Sequence, residues 1–245
     1  MFNGGFKKAV KPIVFIVCLL PVAWVIWLAF TPGPAGSGLG ANPQEYINRY
    51  LGDWALRMLL IALAITPLRL VLGWSGAMRF RRMTGLYAFF YAFLHLTSYV
   101  VLDQTFDWQE IWNDILKRNY ITVGMISLIL FIPLAATSTN GMIKRVGAKR
   151  WRKLHKLVYI IAPLTCLHFF MMRKGVQTEP LVYAGIATAL LAVRLRHWMR
   201  VKFRRSASLF NTLHFHWQFD RNEIVKPGKD SSANQPIHKT PDESN

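Results

Sequence analysis

Six apolar stretches, each close to the length of a bilayer crossing, decide the class of this chain before any single residue is considered. They are read at residues 12–31, 53–72, 83–102, 119–136, 152–172 and 180–199. A helix rising about 1.5 Å per residue needs about 20 apolar residues to cross a hydrocarbon core about 30 Å thick. Inside that core every backbone N–H and C=O must be satisfied within the segment, and a helix does this alone. The sequence therefore predicts an all-α integral membrane protein, a six-transmembrane-helix bundle. Of its 245 residues, 53% are hydrophobic, too many for a soluble chain with this patterning.

The formal charge of +18 would suggest a nucleic-acid partner were it spread over one face. Instead Lys and Arg gather in short segments on one side of the predicted bundle. These are Arg79, Arg81 and Arg82; Lys144, Arg145, Lys149, Arg150, Arg152 and Lys153; and residues 194–205. On the other side Glu45 balances Arg49, and Asp103, Asp107, Glu110 and Asp114 outnumber Lys117 and Arg118. This asymmetry encodes orientation, so N- and C-termini are both predicted to be cytoplasmic, the partner surface is membrane lipid, and nucleic acid is excluded.

The first apolar run follows Lys7, Lys8 and Lys11, as a signal peptide would, but it is longer than a typical signal core and is read as a retained span. Cys18 and Cys166 lie inside apolar runs with no second thiol nearby, so they are read as packing residues. Between the third and fourth spans Phe106, Trp108, Ile111, Trp112, Ile115 and Leu116 recur at helical spacing among acidic residues. They predict an amphipathic helix on the outer surface, serving as a Trp-rich interfacial anchor or presenting an acidic docking face. Residues 1–200 form the transmembrane domain in this reading, and 201–245 a basic, polar cytoplasmic tail, largely disordered. Within the tail, residues 213–219 alternate apolar and polar as a surface or transient strand would, and include His214 and His216, a pair short of a full metal-ligand set. No GxGxxG segment opens a helix, so a nicotinamide site is not expected.

Three histidines, His95, His155 and His168, fall within or at the edge of spans, where an ionisable side chain is costly unless it has a task. Axial ligation of haem iron needs imidazoles on facing helices at matched depth. Counted outward along their spans, His95 lies about 18 Å and His168 about 25 Å from the cytoplasmic ends, both in the outer half. They are the better-matched axial pair. His155 lies only about 6 Å in, where the matching positions on the third span are Arg82 and Arg81. An arginine cannot ligate iron in its charged form, but it can hold a haem propionate or a phosphate. His155 could ligate an inner haem with an unusual or absent sixth ligand, contact a flavin or quinone, or simply hydrogen-bond at the interface beside Arg152 and Lys156. On a straight helix His155 and His168 would stand about 140° apart, and Pro163 between them could re-phase the two halves. Arg57, read as about one turn inside the outer end of the second span, could snorkel to head groups or pair with propionates of an outer haem. Pro67 is read as a kink.

The chain resembles the MsrQ (YedZ) family of haem-bearing membrane subunits. The resemblance is carried by residues 81–86 (RRMTGL), 89–99 (FFYAFLHLTSY), 137–139 (TST), 149–159 (KRWRKLHKLVY) and His168. It implies a ferric-reductase-like transmembrane domain in the bacterial inner membrane, with haem b held by His95, His155 and His168. Related oxidases carry two histidines on each of two helices, whereas this chain has arginine at the fourth position. The resemblance further implies a periplasmic molybdopterin methionine sulfoxide reductase as partner, FMN as an associated cofactor, and a cytoplasmic flavin reductase or the quinone pool as electron donor. Substrate chemistry would then belong to the partner. Arg82 and Arg57 complete the candidate cofactor-binding set. The alternatives are a stand-alone ferric or quinone reductase of the same fold, and a proton-coupled transporter using the histidines as relays.

Overall fold

In the computed structural model the backbone is described for residues 4–34, 36–173 and 177–224, and side chains for 10–34, 36–173 and 177–203. Helix α1 covers Gly4–Phe30 and α2 Pro43–Leu72. A 3-10 turn, Ser75–Phe80, leads into α3, Arg81–Ser98, which continues as a π turn, Tyr99–Asp103. Then follow α4, Trp108–Lys117; α5, Asn119–Ala136; α6, Asn140–Val146; and α7, Ala148–Leu154. A second 3-10 turn, His155–Leu157, precedes α8, Val158–Met172, and α9 covers Thr178–Ile224. Six helical segments among the described residues are long and apolar enough to cross a membrane: Val10–Phe30, Pro43–Leu72, Ser75–Asp103, Asn119–Ala136, Ala148–Met172 and Thr178–Phe203. The six-span, all-α expectation is met.

The largest departure is the start of the second span, ten residues earlier than hydropathy indicated. The Asn42 side chain accepts the Glu45 N–H at 3.3 Å, and Pro43 opens the helix where no N–H is needed. Capping chemistry, not apolar content, sets this boundary. At the other end Gly73 takes φ 68°, a left-handed value that glycine adopts freely, and returns its N–H to the Arg69 carbonyl.

The described residues up to Arg196 form one compact unit and those from His197 a second. In the first, α2 packs chiefly on α3 and α5 on α8, with Leu56, Leu63, Tyr91 and Ile161 fully enclosed. Cys18 and Cys166 are free and buried in this core. Large apolar side chains such as Ile16, Trp27, Ile129, Ile160 and Leu181 stay on the outside, as a lipid-facing surface requires. In the second unit Lys202 lies 5.3 Å from the Trp198 ring centroid. The backbone over residues 213–219 is helical, in place of the expected strand. A strand needs a neighbour to take its N–H and C=O groups, whereas a helix satisfies them itself. The side chains of His214 and His216, and everything from Val225 onward, lie outside the described residues.

Helix α4 is the expected amphipathic element, with Trp108, Trp112 and Leu116 exposed as an interfacial anchor would be. Its Asp114 belongs to no acidic docking face, because it is 2% exposed. Tyr99 Oη donates to Asp114 Oδ2 at 2.7 Å, Gln104 Nε2 to the same oxygen at 3.0 Å, and Arg118 Nε pairs with Oδ1 at 2.8 Å. The clamp spans a connection in which Thr105 and Phe106 hold positive φ values of 47° and 65°, uncommon for residues with a Cβ. Asp114→Ala is expected to strand the Tyr99 and Gln104 donors and cost about 1–3 kcal/mol, releasing α4. Hydrogen exchange over residues 104–118 checks this; unchanged protection there would mean that something else holds the helix.

Candidate functional site

His95 projects from α3 toward α2, its Nδ1 2.9 Å from the Asn48 carbonyl oxygen. His168 projects from α8 toward α5, its Nδ1 2.7 Å from the Tyr120 carbonyl oxygen. A carbonyl only accepts, so each Nδ1 carries the proton and each neutral imidazole keeps its lone pair on Nε2. A hydrogen bond from the other ring nitrogen in this way fixes a metal-binding histidine in tautomer and orientation.

Both contacts depend on a glycine one helical turn further along. The side chain at position i+4 stands over the carbonyl of residue i, and here those positions are Gly52 and Gly124. A Cβ at Gly52 would lie 3.2 Å from Cε1 and Nδ1 of His95, and one at Gly124 would lie 2.8 Å from His168 Nδ1. The same device, a carbonyl with a glycine four residues on, thus occurs once in each helix pair. Around it, Asn48 Nδ2 donates to Ser98 Oγ at 3.2 Å, tying α2 to α3, and the Ser127 and Thr165 hydroxyls meet at 2.9 Å, tying α5 to α8.

The two imidazoles are neighbours, ring centroids 6.1 Å apart and planes at 69°. A metal–imidazole bond of about 2 Å, with about 1 Å more to each ring centre, puts two axial imidazoles about 6 Å apart through one iron. The spacing and the free Nε2 atoms fit axial ligation. Among the described residues no three His, Cys, Asp or Glu side chains gather to hold a metal, and an iron carried by a macrocycle needs only the axial pair.

At the opposite, basic end of the bundle His155 repeats the tautomer. Its Nδ1 lies 3.1 Å from the Trp151 carbonyl oxygen, and its ring lies over Trp151 at 4.0 Å between centroids. Nε2 is 3.5 Å from Ser138 Oγ, within a cavity that Arg81 and Arg82 of α3 also line. The ring lines the cavity, whereas Arg152 and Lys156 are exposed. Between the two histidines the 3-10 turn His155–Leu157 interrupts the helix, and α8 runs on through Pro163.

The two candidate arginines have different surroundings. Arg82 reaches the cavity as its depth indicated, while Nη1 donates to Asn140 Oδ1 at 2.8 Å. Arg57 lies about 21 Å along α2, which starts at Pro43. There Nε donates to Tyr183 Oη at 2.8 Å and the guanidinium lies 5.2 Å from the Trp54 ring centroid. Arg194, grouped in the sequence with the orientation-setting charges, is 6% exposed and lines the His155 cavity. Asn48, Gly52, Tyr120 and Gly124 were missed as well. Their one signal, the matching four-residue spacing, lay partly outside the expected second span.

Residues 51–166 match the family described as ferric reductase like transmembrane component. The protein-methionine-sulfoxide reductase heme-binding subunit MsrQ of Rhodospirillum rubrum is 55% identical over 182 residues, 74% of this chain and 85% of that protein. The MsrQ of Polaromonas naphthalenivorans is 50% identical over 201 residues, 81% of this chain and 90% of the relative. The magnetosome protein MamZ of Paramagnetospirillum magneticum is 42% identical over 189 residues, 77% of this chain but 29% of that longer protein.

Proposed function

This chain belongs to the MsrQ family of haem-binding subunits, and on that premise we propose that it carries electrons on haem b from the cytoplasmic side of the membrane to a periplasmic methionine sulfoxide reductase. It is a multi-pass protein of the bacterial inner membrane with a role in electron transfer. The observation that carries the proposal is the pair His95 and His168, rings 6.1 Å apart with both Nδ1 atoms tied to backbone carbonyls.

On this reading His95 and His168 hold the outer haem, and Arg57 is assigned to its propionates. The haem iron, when bound, supplies a one-electron couple, and the surrounding chain tunes it through axial ligand and burial. Gly52 and Gly124 let the helix backbones meet the imidazoles, and the Asn48 and Tyr120 carbonyls keep each Nε2 available. His155 with Arg82 and Arg81 serves a second, inner cofactor, either another haem b or FMN. The electron donor is a cytoplasmic flavin reductase or quinone, the acceptor a molybdopterin enzyme, and both termini with the 201–245 tail lie in the cytoplasm.

The purified chain is expected to show Soret and alpha bands that shift on dithionite reduction. Adding the periplasmic molybdopterin enzyme with an oxidised protein substrate should reoxidise them. A colourless preparation made with ample haem would favour the transporter reading, and reduced bands that ignore the partner a stand-alone reductase. His155→Ala is expected to remove one component from a redox titration and leave the outer low-spin signal; loss of both, or of neither, would overturn the inner assignment.

A further inference from the structure

We propose that the cavity at the basic end is an anion site anchored by Arg194, so that the cofactor beside His155 bears a carboxylate or phosphate and is not a neutral quinone. This rests on the inner-cofactor reading above. Arg194 sits on α9, 6% exposed, and shares the cavity with His155, Arg81 and Arg82. A guanidinium buried to this degree is costly unless its donors and its charge are both met.

One donor has a clear reason. Pro67 has no N–H, so the Leu63 carbonyl four residues earlier loses its helical partner, and Arg194 Nη2 donates to it instead. That bond explains where the head group sits, and a neutral amide could make it equally well. The charge is unexplained. Arg194 Nε is buried without a hydrogen-bond partner. The Tyr159 ring, 5.9 Å away, brings no formal charge. Among the described residues Arg194 forms no ion pair with a carboxylate, and no Asp or Glu lines the cavity.

Apart from these cations and Ser138, the walls are largely apolar, including Leu59, Leu86 and Phe131. A buried arginine lining a largely apolar cavity together with Arg81 and Arg82 matches an amphipathic anion, since the planar fork of arginine pairs carboxylate or phosphate bidentately. A haem propionate and a flavin phosphate share that chemistry. An uncharged quinone would leave the buried charge of Arg194 unpaired in a medium of low dielectric.

The test uses the full-length purified chain, with haem and flavin counted per chain in the wild type, Arg194→Gln, Arg194→Lys and His155→Ala. Arg194→Gln is expected to weaken retention of the inner cofactor at least ten-fold. Arg194→Lys should fall between, and the low-spin signal of His95 and His168 reports in each that the bundle has folded. Should Arg194→Gln fail to fold, wild-type protein stripped of cofactor is reconstituted with protohaem against its dimethyl ester, and with FMN against riboflavin. Removing the anion should weaken binding ten-fold or more, and the pair that responds identifies the source. Full retention in Arg194→Gln, or equal binding of charged and uncharged cofactors, overturns the proposal. If His155→Ala removes the inner cofactor while Arg194→Gln does not, the anion site alone fails; a wild type with no inner cofactor overturns both readings.

Discussion

Replacing His168 with alanine is expected to abolish the low-spin haem signal and lower haem retention by more than about ten-fold, and His95→Ala should do the same. Altering even the groups that orient a metal-ligating histidine costs about 10–100-fold in affinity, and deleting the imidazole removes the bond itself. The two residues come from different helix pairs, so neither side of the site can substitute for the other. Each ring is tethered by its own carbonyl, Asn48 for His95 and Tyr120 for His168, and those tethers survive the opposite mutation. Visible and electron paramagnetic resonance spectra of the purified variants read the outcome. A low-spin species unchanged in either variant would dissolve the pairing, because only two imidazoles stand at this level among the described residues.

The second large effect is expected at a residue with no side chain. Gly124→Ala introduces a Cβ 2.8 Å from His168 Nδ1 and 2.9 Å from Cε1, inside any tolerable contact and next to the hydrogen bond that orients the ring. The obstruction is a backbone-anchored methyl group, so the ring must move. Overpacking of this kind costs about 1–3 kcal/mol, and losing the Nδ1–H to carbonyl bond adds about 1 kcal/mol. The expected readout is weaker haem retention and a shifted midpoint potential in a chain that still inserts and folds. Gly52→Ala should be milder, since its Cβ would meet the His95 ring at 3.2 Å, and Gly185→Ala, with open space around it, should be silent. A Gly52 effect larger than that of Gly124, or equal losses at all three, would show that the glycines matter for helix packing in general and not for the approach of the imidazoles.

The sequence was most legible where the physics is local. The fourth span, Asn119–Ala136, has the expected bounds, because its apolar run and its helix coincide. The second did not, because an Asn42 cap carried the helix through ten residues, 43–52, that hydropathy excluded. That error hid half of the site: Asn48 and Gly52 lie in the part of α2 left out. Arg194 was hidden differently. In the sequence it is one cation in a basic stretch, and only the fold separates it from exposed neighbours such as Arg196 and Arg200.

By itself the sequence determined that this chain is a six-span helical membrane protein with two imidazoles at one depth and a third near the basic end. Length, hydropathy and rise per residue are properties of each segment taken alone. Only the tertiary structure decided which carbonyl holds each histidine, why Gly52 and Gly124 must be small, and that Arg194 caps the carbonyl freed by Pro67. Those facts depend on which face of one helix meets another across 47, 48 and 131 residues of chain, and azimuth at such separations is set by packing.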